Sequence, residues 1–344
     1  MNEIRRVRAG KPKSSLGGNE MMNFTQAFKT GGYAAMIALM GAVGSASAES
    51  LFDGCPSGPI IQRFIEFGQT GQMPKDLGKW LNTPADQYVE PWKPFDNVDY
   101  VGVCWVSAWL VHTDDGVVLI DTLYGPFQKM IVENIQKTGT DLADIKYVMM
   151  THGHFDHVGG AASLKPQLPN AKFVMTQGGW DEAVESSAQS QGGPRAWNMI
   201  APEITVADGD QITVGGNTFQ VIETPGHTWG TASYMYDVHD GDNTYRAITI
   251  GGLGLNAIEG PPQVEAYIAS VDRVRKLVEA QDMPIEVHLT THGFSAGLDE
   301  NRQKHAARKV GEPNVFVDPQ ALLNQVAGLR ERAVKRLEIE NAKK

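Results

Sequence analysis

Thr151-His152-Gly153-His154-Phe155-Asp156-His157-Val158-Gly159-Gly160 places three histidines and a carboxylate within six consecutive positions. Only nine histidines occur in the 344 residues, so three in one short stretch exceed what a polar loop has reason to hold. Neutral imidazole is the commonest metal-binding side chain near neutral pH, and an interleaved carboxylate adds negative charge without adding a competing proton. Immediately upstream, Ile145-Lys146-Tyr147-Val148-Met149-Met150 reads as a short buried strand. The cluster therefore falls at the C-terminal end of a strand, where open α/β sheets place their ligands.

On extended backbone His152 and His154 point the same way, and Asp156 and His157 follow on the next turn. Two more histidines fall at strand ends: His227 closes Thr224-Pro225-Gly226-His227, and His292 follows an apolar strand over residues 285–289. Either of these alone reads as a structural histidine. With the cluster they complete two sets, His152, His154 and His227 for one metal and Asp156, His157 and His292 for the other. Three protein ligands leave coordination positions open, as catalytic sites do. Nitrogen-dominated ligation suits Zn2+, two ions per chain, while a single ion, iron or manganese is also compatible with these donors. Zinc brings the pKa of bound water to about 7 and polarises a carbonyl, so the predicted chemistry is hydrolysis by a metal-bound hydroxide, with His152, His154 and Asp156 as the catalytic residues.

Around these residues the chain alternates hairpins and helices. Strands are predicted within residues 98–111 and over 117–120, about the turn Asp114-Asp115-Gly116, then a helix over 126–137. Beyond the cluster come a helical stretch at 161–164, a strand at 171–176, an exposed helix at 180–188 and a loop at 189–202. A hairpin at 211–214 and 218–223, a strand pair at 231–236 and 245–250, and helices at 264–281 and 319–343 complete the pattern. No linker divides it, so residues 97–344 read as one α/β domain. Residues 49–96, rich in glycine, proline and polar residues, read as an extension packed on that domain, with one helix near 60–67. His288 falls inside the apolar strand and reads as a core histidine or a support to a ligand. His112, His239 and His305 read as ordinary surface or strand residues. Asp208-Gly209-Asp210 and Asp240-Gly241-Asp242 lack the twelve-residue spacing of a calcium loop and are turns.

Residues 1–48 have the character of a leader. Lys29, an apolar run over 33–43 and Ala46-Ser47-Ala48 form a secretory signal pattern with cleavage after Ala48. The run is well short of the roughly 20 residues that span a bilayer. Residues 1–20 are either an upstream start or an extended basic region. The expected location is periplasmic or secreted, with no membrane attachment after cleavage. The formal net charge is −10; removing a leader with six basic and two acidic residues takes it to −14. That balance argues against nucleic acid and leaves a small molecule as the expected substrate. In an oxidising compartment Cys55 and Cys104 form one disulfide if their Cα atoms approach closely; two free thiols fit the sequence equally well.

His152-Gly153-His154-Phe155-Asp156-His157 matches an H-x-H-x-D-H signature. With Asp121 at a strand end, Thr224-Pro225-Gly226-His227 and His292 in order, the chain resembles the metallo-β-lactamase superfamily over about residues 97–335. The resemblance implies an αββα sandwich with the metals at one edge of the two sheets, and Asp121 as a partner that orients a ligand. Many members carry a carboxylate bridging both metals after the strand that here ends Ile248-Thr249-Ile250-Gly251-Gly252, where this chain has glycine. That glycine, the set of five histidines and one aspartate, the secretion pattern, Pro91-Trp92-Lys93-Pro94-Phe95 and Glu312-Pro313-Asn314-Val315-Phe316-Val317-Asp318-Pro319 resemble the third subclass (B3) of class B β-lactamases.

The resemblance implies a secreted zinc hydrolase that opens the β-lactam amide. The chain departs from the subclass at Gly252, where a serine is usual, and in the loop Gly293-Phe294-Ser295-Ala296-Gly297. Alternatives are the same machinery acting on another lactone, ester or amide, and a mononuclear iron dioxygenase of the persulfide type. Ser295 is expected either to meet a substrate carboxylate or to cap its loop, and Tyr124 and Trp180 are candidate pocket walls.

Overall fold

The computed structural model describes residues 4–5, 51–70, 72–193 and 195–343. Its strands in chain order are β1 Ile4–Arg5, β2 Trp92–Phe95, β3 Val98–Tyr100, β4 Trp109–Thr113, β5 Gly116–Ile120, β6 Ile145–Met149, β7 Lys172–Thr176, β8 Ile204–Val206, β9 Gln211–Val214, β10 Asn217–Glu223, β11 Ala232–Asp240, β12 Asn243–Thr249 and β13 Val287–His288. Strands β2 to β8 form one sheet in sequence order, and β1-β9-β10-β11-β12-β13 form the other. The first sheet is antiparallel from β2 to β5 and parallel from β5 to β8.

The helices are α1 Ser57–Thr70, α2 Lys75–Trp80, α3 Pro84–Gln87, α4 Gln128–Lys137, α5 Phe155–Val158, α6 Ala161–Leu164, α7 Gln177–Ser190, α8 Pro261–Val278, α9 Leu298–Ala306 and α10 Pro319–Ala342. The parallel pairs require crossovers, which α4 supplies between β5 and β6 and α5 and α6 between β6 and β7.

The period of two along each strand sorts the apolar residues into three cores. In β5, Val118 and Ile120 face the opposite sheet while Val117 and Leu119 face outward; in β10, Val221 faces inward and Ile222 outward. The middle core holds Trp109, Phe219, Tyr234 and Tyr236. Outside the first sheet, Leu119, Val148 and Phe173 pack on Ile131 and Ile135 of α4 and Trp180 of α7. Outside the second, Ile222 and Ile248 pack on Val264 and Tyr267 of α8 and Leu322 and Val326 of α10. Helix, sheet, sheet and helix layers make this the αββα sandwich of the metallo-β-lactamase fold.

Several elements differ from the sequence reading. The extension holds three helices, and Trp80 and Phe95 are 2% exposed in the middle core. Strand β2 lies at a sheet edge, where Pro94 costs no ladder hydrogen bond. The strand expected over 285–289 shortens to Val287–His288, paired in parallel with β12. Cys55 and Cys104 form a disulfide with Cα atoms 5.3 Å apart, tying the start of the extension to the loop after β3. Ile4–Arg5, within the stretch set aside as leader, pairs with β9. The signal pattern over residues 21–48 lies outside the described residues. Among the described residues no helix is long and apolar enough to cross a membrane.

Candidate metal centre

Both sheets deliver ligand-type side chains to one edge. His152 follows β6, His154 immediately precedes α5, and Asp156 and His157 lie within α5. His227 lies in the turn between β10 and β11, and His292 follows β13 and precedes a 3-10 turn over Gly293–Ala296. The structure brings all six expected ligands into two groups, His152 with His154 and His227, and Asp156 with His157 and His292, with the candidate ligand atoms of each group within 4.8 Å of one another.

In the first group His154 Nδ1 lies 3.1 Å from His152 Nε2 and 3.0 Å from His227 Nε2. In the second, His157 Nε2 lies 3.2 Å from His292 Nε2, and Asp156 Oδ2 lies 3.3 Å and 3.6 Å from those same atoms. A tetrahedral ion with bonds of about 2.0–2.1 Å has edges of about 3.3–3.4 Å between its donors. All three edges of the second group, and the two edges at His154 in the first, are close to those of a zinc-sized ion.

The far ring nitrogens of His152, His157, His227 and His292 are committed elsewhere, which fixes tautomer and orientation. His227 Nδ1–H donates to the Gly254 carbonyl at 2.7 Å, and His292 Nδ1–H to the Trp105 carbonyl at 2.9 Å. His157 Nδ1–H donates to Asp121 Oδ2 at 2.8 Å. His152 Nδ1–H donates to Thr151 Oγ1 at 3.1 Å, and the Thr151 hydroxyl donates onward to Asp121 Oδ2 at 3.0 Å. Asp121 Oδ1 also accepts the Thr151 N–H at 2.8 Å, so this carboxylate braces one ligand of each group. Asp121 has φ +62° and Leu123 φ +57°. An aspartate enters the left-handed region at modest cost, but a buried leucine there is strained by about 1 kcal/mol or more, a strain typical of functional turns.

Burial sets the protonation states. It pushes His152 well below the ordinary histidine value, with His157 and His154 adding to the effect. Burial and His154 hold His227 down at about 3, and burial and His157 hold His292 at about 4. Neutral imidazoles offer lone pairs with no proton to displace. For Asp156 burial favours the acid, but His157, His292 and His154 override it and keep the carboxylate well below its usual range. For His157 burial opposes charge, yet Asp156 and Asp121 raise it to about 10. The pair of carboxylates thus makes the second group a place where positive charge is stabilised.

Gly252 sets the limit on the other side. Its φ is +64°, and a Cβ built there would lie 2.4 Å from Cδ2 of His227. A side chain there does not fit without displacing the His227 ring.

The remaining candidates divide. Tyr124 is 7% exposed; its hydroxyl donates to the Leu81 carbonyl at 2.7 Å and its ring packs edge-on against Trp105 and Phe155. Trp180 is no pocket wall: it is fully buried in the outer core, with its indole N–H on the Ile204 carbonyl at 3.0 Å. The helix read as exposed turns Trp180, Ala183 and Ser187 inward. Ser295 takes the capping alternative, donating to the His292 carbonyl at 2.7 Å and bonding Thr290 Oγ1 at 2.9 Å.

Trp105 is the residue the sequence did not mark. Besides holding His292 through its carbonyl, it stacks on that imidazole with ring centroids 5.7 Å apart, and Phe64 and Phe294 extend the wall. A backbone contact across 187 positions leaves no local signature.

Residues 101–240 of the chain match the model of the Metallo-beta-lactamase superfamily. Among solved structures it is similar to BJP-1 of Bradyrhizobium japonicum, described as a subclass B3 metallo-β-lactamase, at 29% identity and TM-score 0.65 over 75% of this chain and 97% of that one. It is also similar to a metallo-β-lactamase of Cronobacter sakazakii, at 28% identity and TM-score 0.64 over 74% and 97%. GOB-18 of Elizabethkingia meningoseptica gives 25% and 0.61 over 78% and 96%.

Curated relatives by sequence include hydroxyacylglutathione hydrolases. That of Idiomarina loihiensis is 29% identical over 49% of this chain and 56% of its own length, and that of Yersinia pestis 30% identical over 38% and 43%. The chain spans about half the length of these relatives.

Proposed function

We propose that this protein is an exported dinuclear zinc hydrolase of the β-lactamase type that opens the amide of a β-lactam ring. The observation that carries the reading is the pair of three-ligand groups, five histidines and one aspartate, with Gly252 packed against His227 where a bridging carboxylate has no room. Donor separations of 3.0–3.6 Å within the groups support zinc, and His152, His154 and His227 would hold one ion, Asp156, His157 and His292 the other. Zinc bound there supplies Lewis acidity toward a carbonyl and a lowered pKa for water.

The chain's own residues do the rest. The carbonyls of Gly254 and Trp105 keep His227 and His292 in the neutral, ligating tautomer. Asp121 holds the His157 ring, and Asp156 stays ionised as the one negative ligand. The wall of Trp105, Phe64 and Phe294 beside His292 excludes water from that flank and offers an apolar surface to substrate. Export is supported by the secretory pattern of residues 21–48 and by the Cys55–Cys104 disulfide, a bond that oxidising compartments preserve. We read the substrate as a small molecule.

A second reading, hydrolysis of a thioester or other ester by the same centre, is favoured by the curated relatives named hydroxyacylglutathione hydrolase. Assays of zinc-loaded protein against penicillin, cephalosporin and carbapenem substrates beside a hydroxyacyl thioester separate the two. Turnover of at least one β-lactam with kcat/KM well above that for the thioester is expected; thioester turnover alone would replace the first reading with the second.

A further inference from the structure

The turn that carries His227 exposes a tryptophan. His227, Thr228 and Thr231 are 5%, 8% and 1% exposed, whereas Trp229 among them is 57% exposed, the most exposed aromatic side chain of the described residues. A large apolar ring left in water forgoes the burial that drives folding, and a flexible loop would fold it away. This loop cannot. The Thr224 N–H donates to the Thr231 carbonyl at 2.9 Å, and the Gly226 N–H to the Thr228 carbonyl at 2.9 Å. The Thr228 N–H donates to Thr231 Oγ1 at 3.1 Å. From α7 and its cap, Glu182 Oε1 accepts the Gly230 N–H at 2.9 Å and the Thr176 hydroxyl donates to the Gly230 carbonyl at 2.6 Å. Beneath the turn the backbones touch: a Cβ on Gly230 would lie 2.0 Å from the Gly179 nitrogen. No space remains for an indole under the loop, so Trp229 is held outward on a rigid backbone two residues from a ligand of the first metal group.

We infer that Trp229 is a specificity-determining residue on the His227 side of the site, stacking against an aryl or flat apolar substituent carried next to the scissile bond. It complements the wall of Trp105, Phe64 and Phe294 on the His292 side. A rigid aromatic platform costs little conformational entropy on binding and favours flat partners. The inference rests on the hydrolase reading of the metal centre.

Trp229→Ala and Trp229→Phe, with the wild type, test it on matched pairs that share a scissile bond and differ in one substituent. The pairs are benzylpenicillin with 6-aminopenicillanic acid, and the phenylacetyl with the acetyl thioester of one aliphatic thiol. On the pair that the wild type hydrolyses, Trp229→Ala is expected to lose about tenfold in kcat/KM on the aryl member, through KM, and less than about twofold on the other. Trp229→Phe is expected to recover most of the loss. Equal losses on both members, or none on either, would overturn the role of Trp229 while leaving the hydrolase reading intact. No turnover of any pair by zinc-loaded wild type would overturn the hydrolase reading, and this inference with it.

Discussion

Asp121 and His157 are joined by a hydrogen bond of 2.8 Å between a carboxylate 1% exposed and a fully buried ring. The same Asp121 oxygen reaches His152 through the Thr151 hydroxyl, so one side chain orients a ligand in each group. Replacing Asp121 by asparagine keeps the shape and removes the charge that favours the ligating orientation of His157. Asp121→Asn is expected to weaken zinc at the Asp156, His157 and His292 group by about 10- to 100-fold and the other group less. Competition against a chelator of known affinity reads this directly; two unchanged affinities would remove Asp121 from the account.

Gly252→Ala tests the claim that His227 leaves no room for a side chain. The added methyl would meet the His227 ring at 2.4 Å on a backbone whose φ of +64° already disfavours any Cβ. Zinc stoichiometry is expected to fall from two toward one per chain, with the first group losing its ion. Retention of two tightly held ions would show that the turn has slack.

The disulfide makes a prediction independent of the metals. Cys55 and Cys104 close a loop with a sequence separation of 49, and the chain-entropy relation gives about 4 kcal/mol for a loop of that length. The Cys55→Ser, Cys104→Ser double variant is expected to unfold at a clearly lower urea concentration. Dithiothreitol should lower the wild-type midpoint similarly and leave the variant's unchanged.

Acid stability has a definite sign at Asp99. Burial would raise this carboxyl, but His112 at 2.6 Å and Lys93 at 3.0 Å outweigh burial and lower it. A depressed carboxyl contributes stability that is complete above the unfolded value of about 3.9 and is lost as pH falls through the folded one. Asp99→Asn should therefore be less stable than wild type at pH 7, with the gap narrowing below about pH 4. A gap that widens in acid would contradict the assignment.

The individual strands and the candidate metal ligands were legible because both follow local rules, whereas the sandwich was implied only by the family resemblance. The apolar runs Val117 to Ile120 and Ile145 to Met150 reveal buried strands, and His152 to His157 sit where such a strand must stop. His227 and His292 were legible only in company with the cluster. Trp180 was misplaced because an apolar residue near a helix start looks alike whether it faces a cleft or a core, and only the packing of α7 on Phe173 decides. Trp105, Gly254 and Leu81 act through carbonyls, which every residue has, so no sequence pattern points to them. Trp229 was passed over for a related reason: exposure is a property of the folded turn, set by Gly230 and Glu182.

On the proposed reading, His152, His154 and His227 hold one zinc ion and Asp156, His157 and His292 a second. Metal analysis of the purified protein, dialysed against zinc and then desalted, tests it most directly, with His157→Ala beside the wild type. The expected result is two zinc ions per chain in the wild type and one in the variant. One tightly bound iron per chain, with no second ion taken up from zinc, would contradict it.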